Sequence, residues 1–374
     1  MMKTKKSDKL ICLGFCLFFG SMLALFLLLP EKRFSANEKR YLAPLPTLRL
    51  SEVLSGRFGQ EAETYAADHL PGRDFFVGLN ARYDLLSGRQ VTKEIYVGKS
   101  GRLYEAPAPS DEEVIEKNMA AINDFAGKAA CPVDLMLVPS AGYLLEEDLP
   151  CLTDPYRDEE ILNAAYALAA SNLSPVDLLP AFASAADKGA LFYRTDHHWT
   201  SEGAYLAYAT YLNALGRSPA ERKDFTRREM EGFLGSTYSR AALWDTEPES
   251  LSLWDSGERF LVENGESKQL HEGLFYEEHL SENDKYPVYL DGNHSLVRIR
   301  RAESTGQGKI LVIRDSFAHC FGCFLAESYD EVVLVDLRYY RSPVSQLLEE
   351  GFDRVLILYS IGNFMTDANI VRLD

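Results

Sequence analysis

A serine that follows an apolar segment is the first residue in this sequence with clear chemical potential. Ile310–Ile313 predict a short strand, and Arg314–Ser316 lead into a predicted helix that begins near Phe317. Ser316 would then lie at the carboxyl end of a parallel strand, where α/β sheets place their sites. The N–H groups of the following helix could stabilise an oxyanion. The alternative is that Ser316 or Asp315 only caps that helix.

A nucleophilic serine needs a base, and two of the seven histidines lie in the sequence TDHHWT. The segment precedes a predicted helix, so we expect it to be extended, with Asp196 and His198 on one side and His197 on the other. Asp196 could then accept the Nδ1 proton of His198 and leave Nε2 to take a proton from Ser316. The alternative is a structural cluster in which these side chains and Trp199 pack the start of the helix.

Metal binding is a second chemical interpretation of the same segment, because His198 and Glu202 have the i, i+4 spacing of helical ligands. Adjacent histidines such as His197 and His198 rarely point at one ion, and no other ligand cluster has the spacing of a zinc site. The sequence therefore predicts no metal and no cofactor.

The six cysteines form three pairs along the chain. Cys320 and Cys323 form a C-x-x-C sequence, which could indicate redox or metal chemistry. They lie on a predicted helix rich in phenylalanine, which favours buried thiols that act as small apolar side chains. Cys131 and Cys151 could form a disulfide outside the cytoplasm, and the sequence leaves that question open.

The N-terminal segment predicts a membrane anchor. Four lysines precede an apolar run from Leu10 to Leu29, which is long enough to cross the hydrocarbon core of a bilayer. The lysines favour a cytoplasmic N-terminus, with everything after Pro30 on the extracytoplasmic side. A cleaved signal peptide is the alternative, although its apolar region is usually shorter and no good A-x-A cleavage site follows.

The amino-acid composition and net charge limit the classes of partner that the protein is expected to bind. The hydrophobic fraction of 46% is sufficient for a large core, which excludes a wholly disordered chain. The formal net charge of -17 repels phosphate backbones and argues against a nucleic-acid partner. It does not exclude sugars or small acyl donors.

The remaining pattern predicts an α/β fold. Two helical pieces joined at Pro71–Gly72 and a hairpin around Gly98–Gly101 precede a series of short apolar strands separated by helices, as a parallel sheet requires. Residues 222–305 are more charged and irregular, and we interpret them as an insertion or lid. The predicted chain has three parts: a cytoplasmic tip and anchor at 1–30, a stalk at 31–60, and an extracytoplasmic domain at 61–374.

The sequence YRTDHHWT resembles the signature of the DHHW family of bacterial cell-envelope proteins. Together with RDSF it is also similar to the SGNH-like alginate O-acetylation proteins, which carry a comparable Asp-x-His-Trp and a later serine. Further similar sequences cover most of the region after the anchor: ANEKRYLAPLP, DHLPGRDFF, IYVGKSGRLY, LVPSAGYLL, YLDGNH and LILYSIGNF.

The resemblance implies an SGNH-hydrolase-like parallel sheet flanked by helices, circularly permuted so that Asp and His precede Ser. Carried over residue by residue, it implies Asp196 as the orienting group, His198 as the base and Ser316 as the nucleophile. Relatives with this fold use an asparagine or a glycine N–H as the second oxyanion donor. Here Asn293 and Asn363 are the candidates, and both could equally be turn residues.

Two residues beside the predicted triad, Tyr193 and Arg194, could contact substrate or have only structural roles. The resemblance implies transfer of an acetyl group to a polysaccharide of the cell envelope, or to an exopolysaccharide. A membrane-bound O-acyltransferase would supply the acetyl groups. Two alternatives stay open: a carbohydrate esterase, and a non-catalytic polysaccharide-binding partner of that acyltransferase.

Overall fold

The computed structural model of the chain describes residues 6–265 and 269–373. These divide into two compact units, one of Met1–Arg89 with Ala242–Trp244 and one of Gln90–Ala241 with Asp245–Asp374. The predicted ranges 1–30, 31–60 and 61–374 remain predictions.

The first unit contains the apolar N-terminal helix. Over Asp8–Leu28 this helix is long and apolar enough to cross a membrane, by length and composition. The predicted pair of helices is confirmed, and Gly72 joins them with a φ of 70° that a residue without a Cβ adopts at little cost. The elements of this unit are α1 (Lys6–Leu28), β1 (Phe34–Ser35), β2 (Arg40–Tyr41), α2 (Leu50–Leu54), α3 (Arg57–Asp68) and α4 (Arg73–Leu86).

The second unit contains a predominantly parallel sheet with helices on both faces. Its strands are β3 (Val91–Thr92), β4 (Ile95–Val97), β5 (Leu103–Glu105), β6 (Val133–Val138), β7 (Leu173–Pro175), β8 (Thr226–Phe233), β9 (Glu249–Asp255), β10 (Phe260–Asn264), β11 (Leu270–Glu272), β12 (Leu296–Arg301), β13 (Lys309–Arg314), β14 (Glu331–Val335) and β15 (Arg354–Ser360). Its helices are α5 (Glu112–Lys128), α6 (Ala141–Leu144), α7 (Asp158–Ala167), α8 (Leu179–Ala183), α9 (Ser201–Ala214), α10 (Ser236–Ala241), α11 (Ala318–Leu325), α12 (Ser345–Leu348) and α13 (Ile361–Thr366).

The central sheet has the strand order β11-β10-β12-β14-β13-β15-β6-β7. Strands β14, β13, β15, β6 and β7 pair in parallel, whereas β12, β10 and β11 continue the sheet in antiparallel pairs. Strand β13 therefore lies inside the parallel part, between β14 and β15. The residues directly after β13 therefore lie at the carboxyl end of an interior strand, which is paired with a neighbouring strand on each side.

Alternating side chains of β13 enter two separate cores. Ile310 and Val312 belong to the core that contains α9 and α11, and Leu311 and Ile313 belong to the core that contains α5 and α7. A strand buried on both faces is continuously apolar along the sequence, which explains the unbroken run ILVI at 310–313. The predicted hairpin is confirmed as the antiparallel pair β4–β5.

Residues 222–305 contribute to the sheet as well as to the loops around it. Strands β10, β11 and β12 form its antiparallel side, and β8 pairs with β9 in a separate two-stranded sheet. The interpretation of this region as a lid remains a prediction.

Candidate active site

Ser316 lies between β13 and α11, as the sequence predicts for a residue at a strand–helix junction. It does not cap the helix. Instead, Asp315 Oδ1 accepts a hydrogen bond from the backbone N–H of Phe317 at 2.9 Å. The Oδ2 atom of Asp315 accepts from the N–H and hydroxyl groups of Ser360 at the start of α13, each at 2.8 Å. Asp315 thus fixes the turn and leaves the Ser316 hydroxyl available for other contacts.

The histidine segment is a closed loop, and the predicted extended conformation is wrong. Residues 194–198 form bends, and an antiparallel bridge pairs Phe192 with Trp199 on either side of them. The N–H of Tyr193 donates to the His198 carbonyl at 3.2 Å, which closes the loop. Since the chain turns back on itself, the alternation expected of a strand does not apply. The His197 ring lies beside the His198 ring, with centroids 3.8 Å apart, and not on the opposite side.

The loop brings the three predicted side chains into one hydrogen-bonded array. His198 Nε2 lies 2.7 Å from Ser316 Oγ, and His198 Nδ1 lies 2.5 Å from Asp196 Oδ1. The backbone N–H of His198 also donates to Asp196 Oδ1 at 2.9 Å. All three side chains are buried, with Ser316 8% exposed. In this geometry Asp196 can hold the Nδ1–H tautomer while Nε2 accepts the serine proton.

The charges of the array favour an ionised aspartate beside a neutral imidazole. Burial raises the pKa of Asp196, but the imidazoles of His198 and His197 and two hydrogen bonds outweigh this and hold the pKa well below its usual value. Burial and the neighbouring His197 lower the pKa of His198, and Asp196 opposes this shift. A neutral Nε2 is the form that can accept a proton from serine.

Aromatic residues fix the imidazole and the turn. The Tyr286 ring stacks on the His198 ring, with centroids 3.9 Å apart and planes 10° apart. Phe317 lies at 5.0 Å from the same imidazole. The indole N–H of Trp199 donates to the Phe317 carbonyl at 3.0 Å. Trp199, which the sequence allowed as part of a structural cluster, therefore links the histidine loop to the serine turn.

Residues from the region 222–305 hold the aspartate end of the array. The N–H of Ser236 donates to Asp196 Oδ2 at 2.6 Å, so both carboxylate oxygens are engaged. Glu249 accepts from the N–H groups of Arg194 and Thr195 at 2.8 and 2.7 Å. A Cβ atom on Gly235 would lie 2.1 Å from Asp196 Cβ, so only glycine permits this approach.

These supporting residues were not predicted from the sequence. No motif or spacing relative to TDHHWT marks these residues, and the sequence around them has no clear helix or strand periodicity: Gly235, Ser236, Glu249 and Tyr286. Only the folding of this region against the histidine loop brings them to it.

The four other predicted site residues lie in different environments. Tyr193 is buried beneath the array, with its ring 4.8 Å from that of Phe233. Arg194 is exposed, and its carbonyl accepts a hydrogen bond from Leu103 N–H. Asn293 is exposed and 3.5 Å from the Arg338 guanidinium.

Asn363 has the closest connection to the serine turn. Its Nδ2 donates to Asp315 Oδ2 at 2.8 Å, while its backbone N–H donates to the Ser360 hydroxyl at the start of α13. The amide therefore lies against the residue that precedes Ser316 in the sequence, whereas Asn293 does not contact this turn in the part of the chain that the structure describes.

The histidine loop also contains a group of side chains of the kinds that bind metals. Asp196, His197 and His198 place ligand-type atoms within 4.8 Å of one another. Those atoms already bond within the array or, for His197 Nδ1, to the Ser236 hydroxyl at 2.6 Å.

The cysteines of the C-x-x-C sequence are both buried free thiols in α11. Burial raises the pKa of Cys320 to about 12, which disfavours the reactive thiolate. Cys131 and Cys151 are free thiols as well.

A cavity of about 800 Å³ opens beside the array. Asp196, His197, Phe317 and Asn363 lie in its wall. The cavity is therefore large enough for a small ligand and adjoins both the histidine loop and the serine turn.

The fold and this array define an α/β protein with a Ser–His–Asp arrangement at the carboxyl end of a parallel strand. Residues 110–335 match the sequence profile described as DHHW protein, which is more than half of the chain. The chain therefore belongs to the DHHW family, and TDHHWT lies inside the matched region.

Similar curated proteins are named for alginate O-acetylation. The chain is 24% identical over 173 residues to the probable alginate O-acetylase AlgJ of Pseudomonas putida, which covers 44% of this chain and 45% of that protein. It is 27% identical over 163 residues to the protein of the same name from Pseudomonas syringae, which covers 41% and 42%. The match therefore spans less than half the length of these relatives.

Two solved structures share the fold. A DHHW family protein from Eubacterium siraeum has a TM-score of 0.64 and 19% identity, covering 75% of this chain and 95% of its own. Bacillus cereus PatB1, solved with a sulfonyl adduct, has a TM-score of 0.63 and 23% identity, covering 75% and 98%. The predicted α/β fold with a mostly parallel central sheet is thereby confirmed.

Proposed function

We propose that this protein is a membrane-anchored, extracytoplasmic O-acetyltransferase that acts on a polysaccharide through an acetyl-Ser316 intermediate. The observation that carries the proposal is the pair of bonds at His198, 2.7 Å to Ser316 Oγ and 2.5 Å to Asp196 Oδ1. Membership of the DHHW family and similarity to probable alginate O-acetylases support acetyl transfer to a polysaccharide.

In the first step, His198 Nε2 takes the hydroxyl proton of Ser316 while Oγ attacks the carbonyl carbon of an acetyl donor. The bond between that carbon and the donor atom breaks, and the donor leaves with the proton from Nε2. In the second step, Nε2 takes a proton from a sugar hydroxyl, whose oxygen attacks the acetyl carbon. Ser316 then leaves and regains its proton. Throughout, Asp196 stabilises the imidazolium.

The negative oxygen of each tetrahedral intermediate needs hydrogen-bond donors. We assign the backbone N–H of Ser316 as the first. Asn363 is the better candidate for the second donor, because its amide contacts Asp315 and lines the adjoining cavity, whereas Asn293 is exposed. A second N–H of the Asn363 amide remains for the oxyanion.

The anchor and the wider organisation belong to the same proposal. Helix α1 would hold the enzyme at the outer face of the membrane, beside a membrane-bound O-acyltransferase that supplies acetyl groups. The order Asp196, His198, Ser316 is the one expected of a circularly permuted SGNH fold. Residues 222–305 would support the array and cover the acyl-enzyme from water.

The full-length protein in detergent provides the direct test. Incubation with an aryl acetate should add one acetyl group to Ser316, seen by mass spectrometry of the peptide. Ser316→Ala should abolish the adduct and lower aryl acetate turnover by on the order of 10³-fold or more. Ser184→Ala, which changes a serine in an exposed turn, should have no effect.

The outcomes separate the alternatives. Acetate release without transfer to any added glycan would favour an esterase. An unmodified Ser316 with no turnover would favour a non-catalytic polysaccharide-binding protein. In cells, loss of polysaccharide O-acetyl groups in the Ser316→Ala strain is expected, and an unchanged acetyl content would contradict the proposal.

A further inference from the structure

The cavity beside the array has a distinctive charge. Five carboxylates line it, and one arginine guanidinium is the only Lys or Arg side chain in its lining among the described residues. The carboxylates are Glu94, Glu105, Asp154, Asp158 and Asp196, and the guanidinium is that of Arg240. The wall is therefore predominantly anionic.

The one cation is already paired with two of the carboxylates. Arg240 Nη1 donates to Glu105 Oε1, and Arg240 Nη2 lies 3.4 Å from Glu94 Oε2. Two carboxylates thus compensate one guanidinium. A carboxylate on a ligand would therefore have to compete with Glu94 and Glu105 for Arg240.

Three tyrosines in the lining use their hydroxyl groups within the protein. The Tyr96 hydroxyl donates to Asp154 at 3.1 Å, that of Tyr104 to Asp148 at 2.8 Å, and that of Tyr156 to the Glu105 carbonyl at 2.5 Å. Because each phenol already donates within the protein, these tyrosines do not offer a free O–H group to a carboxylate on a ligand.

The remaining polar groups suit hydroxyl donors. The carboxylate oxygens accept hydrogen bonds and cannot donate them when ionised, so they favour ligands rich in O–H or N–H groups. Asp154 is exposed at the cavity, and Asp158 accepts the backbone N–H of Ser140 at 2.6 Å in a buried position. A wall in which acceptors outnumber free donors matches a polyhydroxylated ring and repels an anionic one.

We propose that this cavity binds the acceptor glycan and selects a sugar that lacks a carboxylate over a uronic acid. The inference rests on the proposed function, because acetyl transfer is what makes a cavity beside Ser316 an acceptor site. The proposed acceptor therefore differs from alginate, the polysaccharide in the names of the curated relatives, because alginate is a polymer of uronic acids.

The test uses two trisaccharides of mannuronic acid and of mannose with the same linkage, which differ only in the carboxylate or hydroxymethyl group on each ring. Calorimetry on the full-length protein should give an affinity for the mannose trisaccharide about tenfold higher or more. The difference should shrink as salt rises, since exposed charges are screened.

Charge variants give the second arm. The double change Glu94→Gln and Glu105→Gln removes two negative charges and frees Arg240, so the affinity ratio should shift about tenfold toward the mannuronate trisaccharide. Glu116→Gln removes a charge from the exposed side of α5, outside the cavity lining, and should leave the ratio unchanged. Because both trisaccharide affinities are measured on the same variant, their ratio does not depend on the fraction of that protein that is folded.

Equal or tighter binding of the mannuronate trisaccharide, or no binding of either, would overturn the inference. So would a ratio that the double variant does not change. Formation of acetyl-Ser316 from an aryl acetate is measured in parallel and needs no glycan. Its absence refutes the proposed function and with it the role of a bound glycan as acceptor, whereas a normal acetyl-enzyme with the wrong selectivity refutes only the acceptor class.

Discussion

At the scale of single residues, burial determines how the array works. Asp196, His198 and Ser316 are all less than a tenth exposed, so the bonds between them form away from bulk water. Burial alone would raise the pKa of Asp196, yet the two imidazoles and the Ser236 N–H hold it well below its usual value, which favours the ionised form. His198 has the opposite balance, because burial and His197 lower its pKa more than Asp196 raises it.

The first prediction concerns the pH dependence of acetyl-Ser316 formation. His198 must be neutral to accept a proton, so the rate should rise with pH and reach its plateau as the imidazole deprotonates. Because the pKa of His198 is lowered, the midpoint should lie below the usual histidine value of about 6.5. A stopped-flow measurement of the first turnover of an aryl acetate over a range of pH gives this midpoint.

His197→Gln provides the matched test of the cause. Removal of the neighbouring imidazole should raise the midpoint, because His197 is one of the groups that lower the pKa of His198. His271→Gln, which changes a histidine of β11 outside the array, should leave the midpoint in place. A midpoint above the usual histidine value in the unmodified protein would contradict the assignment.

At the scale of elements, the array depends on how three segments meet. The turn after β13 carries Ser316, the loop before α9 carries Asp196 and His198, and the start of α10 closes on the aspartate. Each segment is held by backbone hydrogen bonds, so the side chains enter the site with little freedom. Such preorganisation favours catalysis because positions within about an ångström matter.

The second prediction tests the contact between α10 and the histidine loop. Gly235→Ala should displace Asp196, because the added Cβ would overlap it at 2.1 Å and the obstacle includes backbone. We expect the first-turnover rate to fall by about 10²-fold and the free energy of unfolding to fall by about 1–3 kcal/mol. Denaturant unfolding and aryl acetate kinetics measure the two effects.

Gly127→Ala is the control for the same chemical change. Gly127 lies inside α5 with an ordinary φ, and the nearest atom to its added Cβ is 3.9 Å away. Alanine should therefore be tolerated and should stabilise the helix by about 0.5–1 kcal/mol. Equal behaviour of the two variants would show that the approach of Gly235 to Asp196 is unimportant.

At the scale of the whole molecule, the apolar N-terminus and the acidic remainder indicate two different surroundings. Helix α1 exposes its large apolar side chains along its length, a pattern that a bilayer would cover. The formal net charge of the whole chain is -17, and such an excess of negative charge favours solubility and disfavours binding to nucleic acids.

The third prediction concerns the anchor. The full-length protein should remain in the membrane fraction after extraction with high salt and with alkaline carbonate, because a spanning helix is held by hydrophobic burial. Removal of residues 1–30 should release the protein into the soluble fraction. Intact mass measurement distinguishes the alternative, since a cleaved signal peptide would leave a shorter chain in the soluble extracytoplasmic fraction.

The sequence by itself determined the features that depend on local pattern. The apolar run Leu10–Leu29 indicated a helix long and apolar enough to span a membrane, and the run ILVI indicated a strand buried on both faces, because length and periodicity are read directly from the sequence. Ser316 at the end of that strand, and the pairing of Asp196 with His198, could be proposed for the same reason.

Only the tertiary structure decided how these residues meet and what surrounds them. The bends at 194–198, the stacking of Tyr286 and the approach of Gly235 arise from contacts between segments far apart in sequence, and no local pattern records them. The charge of the cavity is likewise a sum over residues from separate loops. The sequence specifies which reactive side chains are present, whereas tertiary packing sets the distances between them and their burial.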